Sequence, residues 1–111
     1  MKEKLLVPKN IPEKGFYYHY KHDPAGPLNN YAYEVIGVGH HTEQDGTYFV
    51  VYRPIYESSV YLEGKFFDVR PLEMFMEDKE IEGKMVERFK KITDESAISE
   101  LTKIAQKMYG E

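Results

Sequence analysis

Between Gly15 and Ile92 the chain breaks into short apolar and aromatic runs separated by Gly, Pro, Asn and Asp, the pattern of strands joined by turns. Gly15 to Lys21, GFYYHYK, predicts a first strand. His22 to Asn30, HDPAGPLNN, holds two Pro, a Gly and two Asn, and predicts a loop. Tyr31 to His41 predicts a second strand and Thr47 to Tyr56 a third, paired as a hairpin through Gln44-Asp45-Gly46. Gly37 and Gly39 leave one face of the second strand nearly bare, the mark of a bend or a close backbone approach. Pro54 has no N–H for a ladder, so the third strand is expected to kink there or to lie at an edge. Glu57-Ser58-Ser59 reads as a loop and Phe66 to Arg70 as a short fourth strand. Pro71 opens a helical turn, LEMFM; Glu82-Gly83-Lys84 is a turn, and Met85 to Ile92 is the last strand.

After Thr93 the period changes from two to that of a helix. Ala97, Ile98, Leu101, Ile104, Ala105 and Met108 fall on one face, Asp94 caps the start and Gly110 supplies a stop. Lys103 and Lys107 complement the negative end of the helix dipole. The fold class that follows is mainly β: a small SH3-like β-barrel of about five strands with a C-terminal α-helix closing one side or one open end. A rolled α+β sheet is the alternative. The expected organisation is an N-terminal tail over 1–14, a β-barrel domain over 15–92, and a helix over 93–111 packed on that same domain.

Composition narrows the chemistry. A chain of 111 residues fits one domain with an ordinary core. Cys is absent, which excludes disulfides, thiolate catalysis and Cys-based metal sites, and suits a cytoplasmic location. A net charge of -4 argues against a broad grip on nucleic acid, which stays possible through a local patch but is not favoured. No apolar run approaches the roughly 18 residues of a membrane span, and Leu5-Leu6-Val7 is too short for a signal-peptide core. Ten Tyr and six Phe stand against no Trp, an aromatic bias that favours pleated, half-buried surfaces.

The motifs lie in an order that resembles the small bacterial family catalogued as domain of unknown function 1653. They are Gly15, Tyr17, His19, Tyr20 and Lys21; Tyr33 to Val38 followed by His41 and Glu43; Val50 to Arg53 with Tyr56; Val69 to Phe75; and Arg88-Phe89. The likeness spans roughly 15–90. This chain departs from its relatives in the His22 to Asn30 insertion and in carrying Asp68 where many have an aromatic. The resemblance implies a domain and supplies no reaction.

Candidate site residues come from three groups. Strict alternation places His41 on one face with Val35, Gly37, Gly39 and Glu43, with His19 on a neighbouring strand able to join them. All three arginines, Arg53, Arg70 and Arg88, are embedded in apolar strand segments, where an unpaired charge is costly. Their planar forks suit carboxylate or phosphate, and internal pairing with Glu34, Glu43, Asp68 or Glu73 is the competing use. The tyrosines Tyr17, Tyr20, Tyr33, Tyr52 and Tyr56 either fill the barrel or line a groove. No P-loop, G-x-G-x-x-G, H-E-x-x-H or G-x-S-x-G is present.

The reading that follows is a non-enzymatic binding module for a small anionic ligand, a nucleotide-like group or a peptide. It places the ligand on His19, Tyr33, His41, Glu43, Tyr52, Arg53 and Arg70, with no cofactor. The alternatives are a small enzyme or metal-dependent hydrolase using His19, His41 and Glu43, and a protein–protein adaptor acting through its C-terminal helix.

Overall fold

A computed structural model describes residues 6–110. The expected tail over 1–14 and the last residue of the expected helix therefore lie partly outside the described residues. Among those described, residues 6–14 form no helix or strand, yet Pro12 is buried and the Glu13 carbonyl accepts a 2.8 Å hydrogen bond from the Tyr17 hydroxyl.

Three strands follow, β1 (Gly15–His19), β2 (Ala32–His40) and β3 (Tyr48–Pro54), then a helical turn α1 (Ser59–Leu62). Next come β4 (Asp68–Pro71), the short helix α2 (Leu72–Met76), strands β5 (Asp78–Ile81), β6 (Lys84–Glu87) and β7 (Phe89–Lys91), and the helix α3 (Glu95–Tyr109). The main sheet is antiparallel in the order β4-β3-β2-β1-β7, and β5 and β6 form a separate hairpin. The fold is mainly β with a C-terminal helix, as expected, but among the described residues the strands number seven in two sheets and the hydrogen bonding does not close into a barrel.

The main sheet is nevertheless strongly rolled. Its edge strands β4 and β7 are four strand spacings apart, about 19 Å in a flat sheet. Yet the Arg70 guanidinium, on β4, lies 5.5 Å from the centre of the Phe89 ring, on β7. Helix α2 packs into the concavity, where Phe75 stacks on Phe89 with ring centres 4.2 Å apart and meets Tyr17 and Tyr52 edge-on. Tyr17, Val35, Val50, Tyr52, Leu72, Phe75 and Phe89 form this concave core.

The predicted last strand is in fact two. At Arg88 the chain leaves the small hairpin for the main sheet: its N–H bonds the Glu77 carbonyl and its carbonyl accepts from Tyr20. Glu82 and Gly83, with φ of 50° and 80°, make the two-residue turn between β5 and β6, a position where both central residues need positive φ. Ser58, expected in a loop, caps α1 by accepting from the Tyr61 N–H. Pro54 is the last residue of β3, opposite Tyr33 of β2 but beyond Tyr52, where the pairing with β4 stops. It sits at a local edge, as expected, and its missing donor interrupts no ladder.

One irregularity changes which residues share a face. The β2–β3 register shifts between Val35 and Gly37, leaving Ile36 as a bulge. Val35 is opposite Tyr52 and Val38 opposite Val50, on the concave side, whereas Gly37 and Gly39 are opposite Val51 and Phe49. The expected common face of Val35, Gly37, Gly39 and His41 is thus split in two.

The convex face carries the second core, Phe16, Ala32, Ile55 and Ile92, covered by Leu101, Ala105 and Met108 of α3. Asp94 caps α3 through a 2.9 Å bond from the Ala97 N–H, and Gly110 ends it at φ 74°. The end of α3 is fastened twice: Tyr109 donates to the Pro54 carbonyl at 2.6 Å, and Tyr61 of α1 donates to the Met108 carbonyl at 3.1 Å. Between these sits Arg53, only 5% exposed, paired with Glu34 at 2.8 Å and lying 4.0 Å above the Tyr109 ring. Among the described residues no helix is long and apolar enough to cross a membrane.

Two stability outcomes are expected. Leu101, fully buried under the sheet, loses a close-packed site in Leu101→Ala, for a cost of about 2–5 kcal/mol. Arg53→Ala strands Glu34 beside the convex core and removes a ring contact, for a loss of about 3 kcal/mol. Urea denaturation measures both, and an unchanged midpoint for Arg53→Ala would show the pair to be dispensable.

Candidate functional site

Four of the seven residues singled out from the sequence meet on one side of the sheet. His19, Tyr33, Tyr52 and Arg70 are carried by four different strands, and the pairings place Tyr33, Tyr52 and Arg70 on the concave face with Val35 and Val50. His19 is opposite Phe89 and touches its ring edge-on at 5.1 Å. Tyr33 reaches Tyr52 at 5.5 Å and Phe89 at 5.8 Å between ring centres. Arg70 uses its Nε to donate to the Tyr52 hydroxyl at 3.2 Å.

The other three are elsewhere. Arg53 is on the convex face, held by Glu34 and Tyr109. His41 and Glu43 belong to the turn after β2, where His41 Nδ1 accepts the Glu43 N–H at 3.0 Å. That turn and His19 are at opposite ends of β2, roughly 30 Å apart at the rise of an extended strand. Among the described residues no three His, Asp or Glu side chains are grouped to hold a metal ion, so His19, His41 and Glu43 do not form one centre.

The structure adds residues to the concave cluster. Tyr56, just past β3, shares a 2.6 Å hydroxyl–hydroxyl bond with Tyr33. Tyr31, 38% exposed, holds φ at 52°, a left-handed conformation rare for a bulky residue, with its ring beside those of His19 and Tyr56. Asp68 is directly opposite Tyr52. Tyr56 was visible in the sequence as one of many tyrosines. The Tyr31 backbone leaves no signal there, whereas alternation along the strand places Asp68 on the face of Arg70.

The electrostatics follow from partial burial. Desolvation, with help from the Arg70, Lys21 and Arg88 charges, brings the His19 pKa down to about 4, so the ring is neutral at pH 7. Its Nδ1 accepts the Lys21 N–H at 3.2 Å, which leaves the proton on Nε2 as a donor. Burial, then the bond to Tyr56, pushes the Tyr33 hydroxyl well above its ordinary value. Burial also raises the Asp68 carboxyl above the usual range, with Arg70 opposing.

The three arginines have different fates. Arg53 pairs with Glu34 and Arg88 with Glu77, whereas no carboxylate among the described residues lies within 4.0 Å of Arg70. His19 also borders an open groove of about 860 Å³ between the residue 20–24 loop and the β5–β6 hairpin, flanked by Lys21, His22 and Lys90.

His19 gives a pH dependence with a definite sign. Its folded pKa is below the free value of 6.5, so between these limits the unfolded chain binds more protons. The stabilisation from neutral His19 is complete above pH 6.5 and is lost as pH falls toward 4. Urea midpoints at pH 7 and pH 4.5 should differ less in His19→Gln than in the wild type. Equal differences would mean that His19 titrates normally.

No curated protein and no solved structure matches the chain. A family model described as protein of unknown function (DUF1653) matches residues 15–91, from the first residue of β1 to the last of β7. That stretch holds every strand among the described residues and the whole concave cluster, so the chain belongs to the DUF1653 family, and the helix α3 that covers its convex face lies outside the matched region.

Proposed function

We propose that the chain is a non-enzymatic binding module that takes the anionic group of a small ligand on its concave face, with Arg70 as the anchoring charge. The observation that carries this reading is that Arg70 alone of the three arginines has no carboxylate within ion-pair distance among the described residues. It is half-buried, fixed at Nε by Tyr52 and set over Phe89, so its outer edge is oriented without being neutralised. A positioned guanidinium edge presents parallel N–H donors to a carboxylate or phosphate. Neutral His19, donating from Nε2, supplies a further donor.

The hydrolase alternative loses its constellation, because His41 and Glu43 lie in a turn far from His19. The adaptor alternative needs a free helix, whereas α3 buries Leu101, Ala105 and Met108 against the sheet.

Titration with inorganic phosphate, followed by NMR shifts of the Arg70 and His19 side chains, tests the proposal. Arg70→Ala is expected to keep the wild-type fold and to weaken phosphate binding tenfold or more, as loss of a charge-assisted hydrogen bond of about 1.5–3 kcal/mol requires. Binding that persists unchanged in Arg70→Ala would sink the reading.

A further inference from the structure

Two residues before Arg70 on the same edge strand, Asp68 also faces the concavity: Asp68 is opposite Tyr52 and Arg70 opposite Val50. Alternate residues on a strand are about 6.7 Å apart. The two opposite charges stand side by side without closing on each other, since no ion pair joins them. Asp68 has no hydrogen-bond or ion-pair partner among the described residues, although it is half-buried. Solvent still reaches its oxygens, but burial penalises its charged form, and a complementary group brought beside it would offset that penalty.

The neighbouring rings indicate what that is. Tyr52 is directly across from Asp68, Tyr33 meets Tyr52 at 72° and Tyr56 at 81°, and Tyr31 approaches Tyr56 at 5.9 Å between centres. Tyr33 and Tyr52 are packed edge to face within the cluster. The rings left to flank an ammonium group on Asp68 are therefore exposed Tyr31 and half-buried Tyr56, which already feels the Asp68 charge. Such a cation gains from a ring face and donates to the acid. No second anion would choose that position.

Building on the anion-binding reading of Arg70, we infer that the concave site is selective for a zwitterion, its anionic group on Arg70 and its ammonium on Asp68 beside Tyr31 and Tyr56. The ligand class is a small amine-bearing acid of the amino-acid type, with its two charges a few ångströms apart.

Binding of 4-aminobutyrate, butyrate and butylamine, measured by NMR titration, separates the two layers of the reading. In the wild type, 4-aminobutyrate is expected to bind about tenfold tighter than butyrate, an increment within the range of a desolvated cation–ring contact. Asp68→Asn should abolish that preference while leaving butyrate affinity unchanged, and Arg70→Ala should weaken both acids. If butyrate and 4-aminobutyrate bind alike and Asp68→Asn alters neither, the zwitterion inference is overturned while anion binding stands. If neither acid binds, both readings fall. Thermal melting gives an independent check: with no partner to lose, Asp68→Asn should melt at or above the wild-type temperature. A marked drop would mean that Asp68 is structural, and would overturn the inference.

Discussion

Phe89 is where the two edges of the sheet meet. It belongs to β7 at one edge, stacks on Phe75 of α2, touches Tyr33 and Tyr52 in the middle of the sheet, and lies under Arg70 from the opposite edge. This packing is what turns a flat five-stranded ladder into a trough, and the trough brings His19 and Arg70 into one electrostatic neighbourhood. Hydrogen bonds alone would leave β4 and β7 far apart. The site is therefore a consequence of aromatic packing: without the roll, its residues would be spread along a surface.

Much of this was legible in the sequence. Turn residues located the β2–β3 hairpin, helical spacing with Asp94 and Gly110 framed α3, and the proline before LEMFM announced α2. The hairpin β5–β6 was missed at its first strand because Asp78–Ile81 is mostly charged and contributes nothing to either core, so it has no apolar alternation to read. The division at Arg88 was hidden because both halves are extended and only their partners differ. The bulge at Ile36 did the most damage to sequence reasoning. Period-two logic holds on each side of it and fails across it, and that is why Gly37, Gly39 and His41 were grouped with Val35.

The arginines show the same limit at the level of charge. Arg53 and Arg70 have like sequence contexts, each between an apolar or aromatic residue and a proline, and Arg88 differs only in following Glu87, which is not its partner. Their roles are assigned by what the topology brings opposite: Glu34 across the ladder from Arg53, Glu77 at the start of the small hairpin for Arg88, and only Val50 for Arg70. A carboxylate in the right register ties an arginine into an ion pair, and its absence leaves Arg70 held by the Tyr52 hydroxyl and the Phe89 ring. Pairing register, more than residue type, decides which charge is available.

The dependence of the convex core on α3 bears on how the protein is made. Phe16, Ala32, Ile55 and Ile92 are covered by Leu101, Ala105 and Met108, and the last turn is tied down through Tyr109 to the Pro54 carbonyl. During synthesis the sheet strands leave the ribosome well before these cover residues do. At about 5–20 residues per second the convex face spends on the order of a second without its lid. A nascent chain in that interval carries an exposed apolar surface that α3 then covers, so the sheet waits on a helix made after it.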